Sequence, residues 1–159
     1  MSTTKVDEMT GMESRILNEG YGPGAWHGAD LRAALADVNV TTAFERPGVG
    51  RHNIAEIALH HAYYVRSVRG RLTGVEPEPF IVEGDDWFEA GNEAILTWRQ
   101  ILDVVSREQE QLVDVVRRLE EGTLTGPLSH ADRFGLVLGI TCHAVYHAGQ
   151  IQLIKKILG

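Results

Sequence analysis

Apolar residues recur at spacings of three and four along most of the chain. Ile54, Ile57, Ala58, His61, Ala62, Val65, Val68 and Leu72 form one such stripe, which predicts a long amphipathic helix from near His52 to Gly74. A second stripe, Ile95, Trp98, Ile101, Leu102, Val105, Leu112, Val115, Val116 and Leu119, stops at Gly122. Asp86-Trp87-Phe88-Glu89 has the D-x-x-E form of a capping box, so the predicted helix runs from there to about Glu120. Ser129, three residues before Asp132, caps a further helix reaching almost to Gly159, with the stripe Val137, Ile140, His143 or Ala144, His147, Ile151, Ile154 and Leu158. Upstream, Val6, Met9, Ile16 and Leu17 predict a first helix over residues 4 to 18, ending at the loop Gly20-Tyr21-Gly22-Pro23-Gly24. A short helix starts at about Asp30, a loop surrounds Arg46-Pro47-Gly48-Val49-Gly50, and Pro77 and Pro79 make Val75 to Gly84 an irregular crossing. No period-two alternation competes, and there is no internal repeat. The pattern predicts an all-α fold, a four-helix bundle with one short extra helix, as a single domain over 1–159.

Composition narrows the function. With 159 residues, 43% of them hydrophobic, the chain can build its own core. The excess of 22 Asp+Glu over 15 Lys+Arg gives a net charge of -7 without any basic cluster, which argues against a nucleic-acid partner. The one cysteine, Cys142, allows no internal disulfide and no Cys-rich zinc site. MSTTKVDEMTGMES has no apolar signal core and no membrane-length apolar run occurs, so the expected location is the cytoplasm, away from membranes.

Candidate chemistry lies in GITCHAVYHAGQIQL, residues 139 to 153, where the apolar stripe continues through His143 and His147. Two neutral imidazoles one helical turn apart, with Cβ atoms roughly 6 Å apart, can converge on one divalent ion. The H-E-x-x-H reading of metalloproteases fails, because Ala144 stands where the catalytic Glu would be. A third ligand is available at His60 or His61, and periodicity favours His61, which lies mid-stripe, over His60 at its edge.

Three stretches, Ala25-Trp26-His27-Gly28 followed by DLRAAL, IAEIALHHAYYVRSVRGRLTG and GITCHAVYHAGQIQLIKK, resemble the DinB-like superfamily of bacterial four-helix bundles. That group includes the YfiT-type proteins, bacillithiol transferases and mycothiol-dependent maleylpyruvate isomerases. The resemblance implies a three-histidine metal site with one ligand on the second long helix and two on the last. Matching IAE-x-x-x-H assigns His60, with His61 where the family usually has an aliphatic residue. The resemblance further implies a homodimer and, for some members, a low-molecular-weight thiol as cofactor.

Three imidazoles leave coordination positions for water or substrate, the pattern of a catalytic site, and zinc, nickel or iron each suits such ligands. A bound cation lowers the pKa of a coordinated thiol, which yields a thiolate nucleophile at neutral pH. The expected function is therefore a divalent-metal-binding thiol S-transferase or related metalloenzyme acting on a small molecule. The rivals are a non-catalytic, metal-stabilised stress-response protein and a metal-assisted hydrolase with Glu56 as the base. Glu56, one turn before His60, is the candidate catalytic carboxylate; Tyr64, Tyr146, Gln150 and His27 are candidate substrate contacts. His52 and His130, at predicted helix starts, are expected to be uninvolved. Cys142, rotated about 100° from His143, is expected to be a small packing residue. Gly135 and Gly139 are expected to allow close helix approach near the metal, and Trp87 and Trp98 to anchor the third long helix, with Trp87 close enough to the crossing to border a pocket mouth.

Overall fold

The computed structural model of the protein describes residues 11–159. Among them the helices are α1 (Met12–Gly20), α2 (Leu31–Ala36), α3 (Val40–Phe44), α4 (Ile54–Thr73), α5 (Trp98–Glu121) and α6 (His130–Leu158), with no strand. The predicted first helix survives as α1; its part before residue 11 lies outside the described residues. Two short helices occur instead of one: α3 is additional, started by Asn39, whose side chain accepts the Thr42 N–H.

Helices α1, α6, α4 and α5 close a ring, each packing on the next, while α2 lies on α6 and α3 on α4. Two apolar clusters fill the ring. One joins Ile54 to Ala62 of α4, Trp98 to Val105 of α5 and Ala144 to Ile154 of α6; the other joins Val65 to Leu72, Leu112 to Leu119, Val137 and Ile140, and Leu17 of α1. The leading halves of α4 and α5 thus share one end of the bundle and run parallel, whereas α6 runs against both. Parallel neighbours cannot be joined by a tight turn. The chain must return along the 20 residues of α4, about 30 Å, before α5 can begin.

Residues 74–97 make that return, which corrects the predicted start of the third long helix. Asp86 does not cap a helix; it adopts a left-handed φ of 69°, which Asp tolerates better than most residues, and its polar groups are used by α4. The helix begins at Trp98 instead, where Thr97 accepts the Gln100 N–H and Gln100 reaches back to the Thr97 N–H. Ile95, expected in the core, is consequently 66% exposed. Trp98 does anchor α5, buried with its indole N–H donating to the Val38 carbonyl at 2.9 Å.

Asn53 fastens the leading end of α4. It is fully buried, accepts the Glu56 N–H, and donates to the carbonyls of Phe44 and Ala90, so that one side chain ties α3, α4 and the crossover together. Gly20 sets the approach of α1 to α6: a Cβ there would lie 2.9 Å from the Thr141 carbonyl oxygen and 3.0 Å from the Ala144 Cβ.

Candidate metal centre

The junction of the two apolar clusters holds four histidines. α4 supplies His60 and His61, and α6 supplies His143 and His147 from facing turns. Ring nitrogens of His60, His143 and His147 all lie within 4.8 Å of one another, and no further His, Cys, Asp or Glu among the described residues joins that group. The Nε2 atoms of His143 and His147 are 3.2 Å apart. Two nitrogens sharing a tetrahedral ion with bonds of about 2.0–2.1 Å stand about 3.4 Å apart, so the spacing fits a shared cation.

The opposite nitrogens are held by hydrogen bonds that aim the rings. His60 Nδ1–H donates to the Asp86 carbonyl at 2.7 Å, with the Asp86 carboxylate 3.2 Å away. His147 Nδ1 is 2.7 Å from Gln150 Oε1, and His143 Nδ1 is 2.9 Å from His61 Nδ1. Such outer partners set tautomer and orientation, leaving the converging nitrogens free to coordinate. Between His60 and His61, this geometry groups His60 with the α6 pair and sets His61 behind His143. Periodicity pointed the other way because it ranks burial, and both rings are buried, at 6% and 1% exposure.

Burial favours the neutral rings that a metal requires. Burial, reinforced by His147 and His60, pushes His143 down to about 4. Burial also lowers His147, where the Gln150 hydrogen bond opposes the shift and His60 adds to it. His61, enclosed completely, is held well below the ordinary imidazole value by burial first and then by its three imidazole neighbours.

The crossover walls the site. Trp87, expected to anchor a helix, lies instead between two imidazoles, stacked on His60 at 3.8 Å and on His52 at 3.7 Å, both nearly parallel. With Gln150, His52, Arg51, Ile57 and Ile154 it lines a cavity of about 560 Å³. His52 therefore belongs to the surroundings of the site, contrary to the expectation that it is uninvolved. The sequence did carry a signal: His52 and Glu56 are spaced i, i+4 across the start of α4, and His52 Nδ1 lies 2.9 Å from Glu56 Oε2.

Glu56 itself is 1% exposed and fully engaged. Arg46 donates to both its oxygens at 3.0 and 2.5 Å, the Ala90 N–H donates at 3.1 Å, and His52 takes the remaining direction. Burial by itself would raise its pKa; the hydrogen bonds from Arg46, Ala90 and His52 outweigh this and leave it below the ordinary value. The carboxylate orients His52 and clamps the Arg46 loop to the crossover, an arrangement that offers no free lone pair for a base. Arg46 is a participant that sequence spacing did not reveal.

The other candidates separate. Tyr64 borders the cluster, its ring 5.0 Å from His60 and 5.1 Å from His143, with its hydroxyl donating to Asp86. Tyr146 meets His147 edge-on at 5.2 Å but is 65% exposed on the outer face of α6. His27 is tied to α1, its Nε2–H donating to the Glu19 carbonyl, and the structure does not bring it to the cluster. Gly135 and Gly139 face outward, with nothing among the described residues within 4 Å of an added Cβ, so they do not serve close packing between the described helices near the histidines. Cys142 is likewise exposed and packs no core.

The family model described as the DinB superfamily matches residues 25–151, which include α4, α5, most of α6 and all four clustered histidines. The chain belongs to the DinB superfamily. No curated protein and no solved structure matches it. The all-helical bundle and the three-histidine group of this DinB superfamily member are compatible with metal binding. None of its described helices is long and apolar enough to cross a membrane.

Proposed function

We propose that this DinB superfamily member is a cytoplasmic divalent-metal enzyme of the thiol S-transferase type, with His60, His143 and His147 as ligands. The observation that carries the reading is a three-nitrogen group, without a fourth protein donor among the described residues, beside a cavity that shares Trp87 and Gln150 with its outer partners. A bound divalent ion supplies positive charge that favours the thiolate form of a coordinated thiol. The chain's residues do the rest: Asp86 and Gln150 aim His60 and His147, and Ile57, Ile154 and Trp87 provide apolar walls for a small substrate. In this reading Gln150, which lines the cavity, and Tyr64, beside His60 and His143, contact the substrate, and Glu56 contributes by holding His52 rather than as the base.

The test uses protein purified without a metal-affinity tag. It should contain bound zinc, nickel or iron, and a cobalt-substituted sample should change its visible spectrum when a low-molecular-weight thiol is added. A shell that ignores thiols and other small anions would instead identify the ion as a structural pin between α4 and α6.

The proposal extends to a homodimer built on α6. Residues 134–154 of this helix carry no charge, yet its outer face is exposed, with Phe134, Leu138, Tyr146 and Leu153 between 38% and 65% accessible. A helix apolar on all sides is ordinarily covered on all sides. Gly135, Gly139 and Gly149 each cost up to about 1 kcal/mol of helix propensity and meet no neighbour among the described residues, whereas they would admit a second α6 closely. For chains of net charge -7, an uncharged face is the one on which two copies meet without repulsion. Sedimentation should show twice the 17.6 kDa chain mass, and Leu138→Glu should weaken association at least about tenfold; a native monomer would remove the dimer from the proposal.

A further inference from the structure

His61 is the member of the histidine group that supplies no ligand in the three-ligand reading. It is 1% exposed, its Nδ1 lies 2.9 Å from His143 Nδ1, and its Nε2 is buried without a partner among the described residues. Its helix neighbours Ala58, Ala62 and Val65 are all buried and apolar, so packing alone would be served as well by an aliphatic side chain. A buried polar atom without a partner costs about 1–3 kcal/mol, and such a cost at a site calls for a functional reason.

The proton positions supply the reason. Two imidazole nitrogens in hydrogen-bond contact need one N–H and one lone pair. Without an ion, His147 gives its Nδ1–H to Gln150 and so presents a lone pair at Nε2. His143 must then donate from Nε2, 3.2 Å away, which leaves a lone pair on its Nδ1 for a His61 Nδ1–H. When an ion occupies the converging nitrogens, His143 needs its Nε2 lone pair, so its proton must sit on Nδ1. His61 must then accept through Nδ1 and carry its own proton on Nε2, the atom without a partner. Every ring stays neutral in both arrangements, and each of the two rings has moved one proton between its nitrogens. A backbone carbonyl, which only accepts, could serve one arrangement but not the other.

We propose that His61 is the positioning residue of His143, a reversible hydrogen-bond partner whose tautomer exchanges when the site takes up a divalent cation. The inference rests on the three-histidine reading and adds a fourth residue to it. Removing such an outer partner costs roughly 10–100-fold in metal affinity. Asparagine carries its amide at about the level of the imidazole Nδ1 and can either donate or accept by turning over, whereas leucine can do neither.

Zinc alone is the probe, with affinities measured by chelator competition on the full chain and side-chain 15N spectra recorded with and without zinc. His61→Leu should bind zinc 10–100-fold more weakly than the native chain, and His61→Asn within about threefold of it. In the native spectra the protonated nitrogen of His61 should change from Nδ1 to Nε2 on zinc addition, with the opposite change at His143. Native affinity in His61→Leu, or a His61 proton that stays on one nitrogen, overturns the inference while leaving the three-ligand site intact. A native chain that binds no zinc, nickel or iron overturns both. If His61→Leu does not fold, the asparagine variant and the native spectra decide: an asparagine variant as weak as one lacking a ligand overturns the inference.

Discussion

Alanine at His60, His143 or His147 is expected to abolish most metal binding, each loss exceeding the roughly hundredfold that marks removal of an outer partner. The three nitrogens lie within 4.8 Å of one another and no other donor among the described residues stands ready to replace one. His61→Ala should cost less than any of the three, because its ring sits behind His143 rather than in the group. Should His61→Ala abolish binding while His60→Ala spares it, the ligand assignment is wrong. The same site predicts a stability effect. An ion held between α4 and α6 binds the folded chain and not the unfolded one, so a hundredfold excess over its dissociation constant adds about 2.7 kcal/mol. Thermal melts with and without chelator, metal content verified, measure this directly; coincident melts would count against an ion bridging the two helices.

The second large effect is expected at Glu56. Removing the carboxylate by Glu56→Ala leaves the buried Ala90 N–H without its acceptor, releases His52, and takes from Arg46 its two hydrogen bonds to the carboxylate, leaving the one to the Arg51 carbonyl. Breaking a buried ion pair from one side costs about 3–5 kcal/mol; Arg46 is 40% exposed and can turn to water, so the lower end of that range, about 3 kcal/mol, is expected from denaturant titration. The pH dependence follows from the depressed pKa of Glu56. A carboxylate with a lowered folded value contributes stability that is fully present above its unfolded value of about 4.3 and is lost as pH falls through the folded one. Glu56→Gln should therefore flatten the acid limb of the stability profile. An unchanged limb would show that the network contributes little, however well it is formed.

The helices and their inward faces were legible because they depend on local information. Apolar spacing placed α4, α5 and α6, Gly74 and Gly122 end the first two in the left-handed conformation, and Ser129 caps the third. His143 and His147 share a face simply because they are one turn apart. The start of α5 was misjudged because two capping sequences compete, Asp86 to Glu89 and Thr97 to Gln100, and local propensity does not rank them. Tertiary structure ranks them: parallel α4 and α5 require a returning chain, and Asp86 is claimed by His60 and Tyr64. The choice between His60 and His61 had the same character, since residues about 100° apart on a helix are both buried when partners flank it, and only the position of α6 tells which ring meets the other two. Contacts between Arg46 and Glu56, Trp87 and the two imidazoles beside it, and His61 and His143 join segments that no spacing rule connects. The chain alone determined which surfaces of its helices must be buried; the packing of α6 and the path of the crossover decided which buried polar groups meet, because hydrogen-bond partners are set by distance in space and not along the sequence.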